Sequence, residues 1–518
     1  MEQPYEMKLV NDQDAIEVTN GRLQSIVDRD NDALARVGKQ PVLKRNFGFI
    51  SMLGFSCTVM ITWEGIFLLF GINFANGGSA GSIYGFLIVR LGTLAIFATM
   101  GELASMAPTS GGQYHWVSML APPSAQKFMS YLIGWITVVG WQAAVASGGF
   151  LASGLVQGLI LLNNATYAPK HQNHGTHRAL PKIESLILVF HILGFFAILI
   201  PLVYMAPHGT TSEVFTTFLN EGSFKTQGLS FMVGLVGPVF SLLGADSAVH
   251  MSEEITNATV NVPRAMIFSI TLNGLLGWGM LIATLFCLGD ATTILEAPYP
   301  FMAIFEQAVG SVGGATAMAA IITVLTICAL ISFVASASRM TWSFARDRGL
   351  PGWRYLSMVN KKSSIPLISI GLTITISCLL ALIILGSSVA FNDVVSLTIN
   401  GLYTSYLIGN SLLLYRRLKG TIKPYDPKSV ALVNVADSGE LTWGPWRIRE
   451  PFGTIINAFG CIFMIIILFF SFWPTAMNPT ASSMNFSSLM MGATIIFACI
   501  YYLVWARKTY TGPVIEIS

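Results

Sequence analysis

Ile61-Thr62-Trp63-Glu64-Gly65-Ile66 lies inside an otherwise apolar run, Phe47 to Phe70, that is long enough to cross a bilayer as a helix. A carboxylate there costs about 2.5–3.5 kcal/mol at mid-membrane and less near an interface. Gly65 follows it, and glycine permits a helix break. Backbone unwinds at membrane depth only where it is buried in protein or lines a wet cavity. A broken first helix that carries a charge reads as the wall of a binding site. The alternative is a Glu near the outer end of an unbroken helix, hydrogen-bonded to a neighbour.

The whole composition agrees with a membrane setting. The chain has 518 residues, 53% hydrophobic and 11% charged, with a mean hydropathy of +0.63. Soluble domains carry about 25% charged residues. An all-α polytopic membrane protein is expected. The net charge of +3 says little, because orientation depends on where Lys and Arg sit. All six cysteines lie in apolar runs without pairing or metal spacing, and read as small packing residues. Residues 1–46 are polar and lack the pattern of a cleaved signal. They read as a soluble tail, followed by a membrane domain over 47–506 and a short tail over 507–518.

Apolar runs of spanning length occur at 47–70, 80–104, 127–162, 183–205, 229–250, 265–288, 302–337, 366–386, 391–415, 452–474 and 487–506, eleven in all. The runs at 127–162 and 302–337 are long enough for tilted helices, or helices that project past the bilayer. Lys and Arg concentrate in the N-terminal tail and in the segments 339–362 and 416–449, whereas 71–79, 289–301, 387–390 and 475–486 have none. The positive-inside rule puts the first three in the cytoplasm. Parity then fails, because seven runs separate the tail from Arg339. Asn164-Ala165-Thr166 is an acceptor for outer-side glycosylation, yet Arg178 and Lys182 place the start of the next run inside. A returning span is missing between about 167 and 181. Either it is absent from the chain, or 127–162 folds as a hairpin at Gly148-Gly149, or one run does not cross. The hairpin's arms would be very short, which favours the first.

After the second run come Gly101-Glu102-Leu103-Ala104-Ser105-Met106-Ala107-Pro108 and Gly111-Gly112-Gln113-Tyr114-His115-Trp116. Further on stand Asp246-Ser247-Ala248, Ser252-Glu253-Glu254, Pro263-Arg264-Ala265 and Arg339-Met340-Thr341-Trp342-Ser343-Phe344-Ala345-Arg346-Asp347. In this order the motifs resemble the amino acid–polyamine–organocation transporter superfamily, and within it the fungal amino acid/choline permeases. The resemblance covers essentially the whole hydrophobic chain. It implies twelve helices, the first ten in two inverted five-helix repeats, with helices one and six broken at the midplane where substrate binds. Against that template the missing span is the fourth. Glu102, Gly111, Gly112, Glu253, Glu254, Arg339, Arg346 and Asp347 would be structural: Gly111-Gly112 allows close loop packing, and the charges anchor a cytoplasmic helix end.

The family's first helix usually carries a glycine–small–glycine pattern at its break, and only Gly65 of Trp63-Glu64-Gly65 keeps it. The N–H groups at a half-helix start favour a carboxylate. Glu64 would oppose an anion and favour an amine or quaternary ammonium. Trp63 could add a cation–π contact of about 0.5–2 kcal/mol, or fill space in the core. Thr62, Gly65, Ser241 and Gly244 complete the expected substrate wall. In the sixth helix Gly237-Pro238 and Gly244 flank a stretch that unwinds easily. By resemblance Phe240 covers substrate and Asp246 serves gating. His191 lies in the fifth run, and histidine is the residue type whose unperturbed side chain titrates near neutral pH. It is the candidate for proton coupling, unless it simply bonds a backbone carbonyl.

Secondary transport of a small amino acid or amine, such as choline or GABA, driven by protons across the plasma membrane, is the expected function. A nutrient sensor on the same scaffold and a transport-inactive product of a truncated gene are the alternatives. No metal spacing, nucleophile elbow or phosphate loop points to an enzyme, and no cofactor or nucleic-acid partner is expected.

Overall fold

The computed structural model describes residues 29–164, 180–384, 389–427, 429, 431–436, 439–481 and 483–516. The described chain is helical apart from one two-residue parallel pairing, Ile422–Lys423 with Leu441–Thr442, and an isolated bridge from Phe47 to Ile255. The first run is α1 (Phe49–Met60) and α2 (Thr62–Leu68). Then come α3 (Phe70–Met106), α4 (Gln113–Leu120), α5 (Gln126–Asn163) and α6 (Leu180–Met205). The sixth helix is α7 (Gln227–Gly234), α8 (Val236–Ser241) and the short α9 (Ser247–His250). It is followed by α10 (Ala258–Phe286), α11 (Pro300–Val309), α12 (Val312–Arg346), α13 (Leu367–Ile384), α14 (Val389–Leu418), α15 (Phe452–Ser471) and α16 (Ser487–Tyr501).

Eight helices among the described residues are long and apolar enough to cross a membrane. The other three apolar runs appear as the broken α7–α8, as α13 and as α14. The chain is an integral, multi-pass membrane protein. Helix α6 shows how sequence sets the packing. Leu186, Val189, Phe190, Leu193, Phe196 and Ile200 are exposed, at the three-to-four spacing of one helical face. Ile187, His191, Phe195, Ile198 and Leu202 form the opposite, buried stripe. Apolar residues thus cover both faces, and the polar one among these sits on the inner stripe.

Two expectations change. The run 302–337 is not one long helix: Gly310 at φ 60° ends α11, and Ser311 caps α12 by accepting the Gly314 N–H. The hairpin alternative for 127–162 also fails, because α5 runs unbroken through Gly148-Gly149.

The two ends of the bundle are distinguishable. At the tail end, residues 29–47 and the last residues of the chain pack against the C-terminal end of α12. Part of the stretch read as a soluble tail is thereby buried, including Leu34, Val37 and Lys39. Asn163, at the end of α5, bonds Thr316 near the start of α12, so it lies at the far end. Leu202 accepts from Cys287, and Gly209 donates to Phe286, just past and at the end of α10. Those contacts put the last turn of α6 at the far end and its first turn at the tail end, roughly 39 Å away by helical rise. Asn164 and Leu180 therefore stand at opposite ends of the bundle. The proposed missing span falls on the residues that join them, which lie outside the described residues.

Candidate functional site

The first helix breaks at Ile61, with φ 36° and ψ 46°, and not at Gly65. A β-branched residue in this left-handed region is strained. The Ile61 N–H closes α1 on the Cys57 carbonyl, and its own carbonyl takes the Gly65 N–H that opens α2. Thr62, Trp63 and Glu64 thus form the first turn of the second half-helix, and all three are fully buried. Gly65 has a different task. A Cβ there would sit 2.8 Å from Ser241 Oγ and 3.2 Å from its Cβ. The missing side chain lets the two broken helices touch.

Glu64 and His191, singled out separately from the sequence, meet. Glu64 Oε1 is 2.7 Å from His191 Nδ1, with both side chains essentially inaccessible. His191 Nε2 is 3.1 Å from Asn273 Oδ1, and Asn273 Nδ2 donates to the Cys57 carbonyl at 2.9 Å. That anchor fixes the amide, so Nε2 must carry the hydrogen. Trp63 Nε1 donates to Nδ1 at 3.2 Å. The Trp63 N–H and the Glu64 carboxyl thus converge on the same ring nitrogen, Nδ1. Glu64 Oε2 is buried and has no partner among the described residues. The Trp63 ring packs on Phe195 at 6.0 Å and on His191 at 5.7 Å, so it serves the core and orients the imidazole.

The sixth helix unwinds from Leu242 to Asp246, around Gly244 at φ 104°, where a Cβ would collide with Val59. Phe240 and Ser241 are buried in the last turn before this break. Asp246 lies just past it. Its Oδ2 accepts from Gln113 Nε2 at 2.9 Å and Trp141 Nε1 at 3.3 Å.

The motif charges form ion-pair clusters at the tail end. Arg346 clasps Glu253 with two bonds of 2.8 and 2.9 Å, and the Ser110 N–H reaches Glu253 Oε1. Arg339 bonds Glu254 at 2.8 Å. Asp347 receives Lys39, the Tyr114 hydroxyl at 2.6 Å and the Val514 N–H at 2.9 Å. Glu102 holds Arg417 and the Ile448 N–H. Burial alone would raise the Glu253 carboxyl, but Arg346 and the Ser110 N–H hold it below its ordinary value. Asp347, buried likewise, is held low by Lys39, Arg346 and Tyr114. Gly111 and Gly112 admit the close packing: a Cβ would strike Tyr114 at the first and Val249 at the second, where φ is 51°.

Sequence reasoning missed Asn273, Trp141, Gln113 and His250 as partners, although the first two were visible as polar breaks in apolar runs. It also treated Lys39 as a loose topogenic charge, whereas it is a buried ion-pair member. Arg90 lies half-buried against Gly274, and no carboxylate among the described residues is within ion-pair distance. No group of residues that could hold a metal occurs among the described residues.

Two broken helices with buried polar groups at their breaks, inside a many-helix membrane bundle, define a secondary-transporter architecture. The chain belongs to the amino acid permease family, whose model matches residues 47–497. It is a permease and not an enzyme. An amino-acid permease of Arabidopsis thaliana is 27% identical over 95% of this chain and 98% of its own length. The choline transporter of Saccharomyces cerevisiae is 27% identical over 94% of this chain and 86% of its own. An amino-acid permease of Schizosaccharomyces pombe is 27% identical over 94% and 88%.

Proposed function

We propose that this permease moves a small amino acid or an amine of the choline or GABA kind by alternating access, and that Glu64 and His191 carry the coupled proton. The observation that carries this reading is Glu64 Oε2, buried at the break of the first helix without a partner among the described residues, while Oε1 lies 2.7 Å from His191 Nδ1. An ammonium arriving at Oε2 favours the carboxylate form of Glu64. The proton then shifts along the 2.7 Å bond to Nδ1, and the Trp63 contact to that nitrogen is released. Substrate and proton are held together, as a symporter requires. The likeness to a choline transporter supports an amine among the substrates. Glu102, Glu253, Glu254, Arg339, Arg346 and Asp347 serve as the framework of the tail end, and Asp246 as a gate. The tails face the cytoplasm, and the plasma membrane is the proposed location.

Uptake of labelled choline and GABA into proteoliposomes, with and without an inward proton gradient, tests the reading. Uptake driven by the gradient in the native protein, but reduced to gradient-independent exchange in His191→Ala, is expected. An unchanged pH profile in His191→Ala removes His191 from coupling.

A transport-inactive relative is the second reading. It is favoured by the opposite placement of Asn164 and Leu180 with only a short polar stretch of sequence between them. It predicts no uptake or exchange of any amino acid or amine by a correctly folded protein.

A further inference from the structure

Asp246 has a second neighbour that the site description has not used. His250, four residues on and fully buried, places Nε2 3.5 Å from Asp246 Oδ2, in ion-pair range but beyond a good hydrogen bond. Its Nδ1 is 2.9 Å from the Ser110 carbonyl, an acceptor, so Nδ1 is the hydrogen-bearing nitrogen. That leaves Nε2 facing a carboxylate oxygen which already accepts from Gln113 and Trp141. Without a proton, two acceptors would face each other in a dry interior. With one, the imidazolium and the carboxylate compensate each other. Among the described residues Asp246 Oδ1 has no hydrogen-bond partner, nor have the Ser247 and Ser252 hydroxyls nearby in the chain. The other groups facing the pair are Tyr406, whose hydroxyl lies near Asp246, and the Trp141 ring, set edge-on to His250. The nearest ion pair is Glu253–Arg346, reached through the Ser110 backbone.

The three elements that Asp246 joins are the unwound sixth helix, α4 through Gln113 and α5 through Trp141. These contacts lie between the break of the sixth helix and the tail end. We propose that Asp246 and His250 share one proton that keeps this gate shut, and that its loss from His250 Nε2 to water opens it. Loss of the proton leaves Asp246 as a buried, uncompensated charge, relieved only when the contacts separate and water reaches it. His250 thereby acts as a positioning residue for Asp246, distinct from the Glu64–His191 dyad on the first helix.

Thr109 reports on the gate, since its hydroxyl is buried beside this cluster in the chain and has no partner. The test uses Thr109→Cys in the full-length purified protein in detergent. N-ethylmaleimide labelling at position 109, read by peptide mass spectrometry, is followed across about pH 5.5–8.5, around the ordinary imidazole pKa of about 6.5. His250→Asn retains a donor for the Ser110 carbonyl but cannot hold the Nε2 proton, so it mimics the open state. Asp246→Asn is uncharged and its amide oxygen accepts from Gln113 and Trp141, so no buried charge drives the contacts apart and it mimics the closed state. Rates are compared at equal pH, which cancels the titration of the thiol itself. Relative to His250→Asn, the parent should label about tenfold more slowly at the acid end and converge on it at the alkaline end, as one linked proton requires. Asp246→Asn should label slowly throughout. Misfolding would speed labelling in both variants, whereas the proposal demands opposite effects. A parent-to-His250→Asn ratio that does not change with pH, or fast labelling of Asp246→Asn, would overturn the proposal. No substrate is present, so the result is independent of what the permease carries.

Discussion

Replacing Glu64 with Gln separates its two tasks. The Gln amide can donate to His191 Nδ1 from the position of Oε1, and its carbonyl falls at Oε2, which has no partner among the described residues. The resting hydrogen bonds therefore survive, and folding should be little affected. What is lost is the ability to become a carboxylate. A hydrogen bond to a charged group contributes about 1.5–3 kcal/mol and a neutral one about 0.5–1.5. The difference, about 1–2 kcal/mol, corresponds to about 5–30-fold weaker binding of a primary ammonium at Oε2, and a quaternary ammonium, with no N–H to donate, loses the charge attraction instead. Competition against labelled substrate by choline, GABA, glutamate and lysine, in native protein and Glu64→Gln, measures it. Choline, which is held by its positive charge without a carboxylate of its own, should lose most, and glutamate least. Equal losses across all four, or none, would show that Glu64 does not select charge and only caps the second half-helix.

Gly65→Ala should destabilise the helix contact by about 1–3 kcal/mol through the clash with Ser241, and Ser241→Gly should restore it; a stabilised single variant in thermal melts would mean that the better helix propensity of Ala wins. Glu253 and Asp347 are held below their ordinary pKa, so their contribution to stability is complete above the unfolded carboxylate range of about 4 and fades as pH falls through the lower folded values. Melting temperature should be flat from neutral pH down to about 5 and fall below that, with Glu253→Gln less stable at neutral pH by up to about 3–5 kcal/mol, because Arg346 keeps only the more distant Glu516. Cysteine placed at Asn164 should react with impermeant reagent on intact cells and cysteine at Arg264 should not; labelling of position 264 from outside reverses the assigned orientation.

What the sequence disclosed and what it hid divide along a physical line. Spans, charges at helix ends and the glycines of the sixth-helix break are local properties of composition and backbone freedom, and they were legible. Glu64 and His191 were legible singly, because a titratable group in an apolar run is costly wherever it occurs. Their meeting was not, since they lie 127 residues apart in the chain. The break at Ile61 was hidden for a related reason. Nothing in isoleucine favours a positive φ, and tertiary packing imposes it while the better local candidate, Gly65, is used for close approach. The division of 302–337 was the more avoidable error, as Gly310-Ser311 is a helix stop followed by a cap.

The contacts that shut the tail end are distributed unevenly. Glu253, Asp246 and Asp347 come from three separate places in the second half of the fold. All three are engaged by one short segment of the first half: the Ser110 N–H on Glu253, the Gln113 amide on Asp246 and the Tyr114 hydroxyl on Asp347. The other large cluster, Glu102–Arg417–Glu450, ties α3 to α14 and to the start of α15, without touching α12. Arg346–Glu253 and Arg339–Glu254 lie wholly within the second half of the chain, and Glu102–Arg417 joins α3 to α14. The bonds that cross from the first half to these carboxylates are those of Ser110, Gln113 and Tyr114, with Trp141 adding a second to Asp246. Two of the three carboxylates also have a buried cation, Arg346 for Glu253 and Lys39 for Asp347. Among the described residues Asp246 has only His250 in that role, which is why the proposed proton switch falls on its bonds.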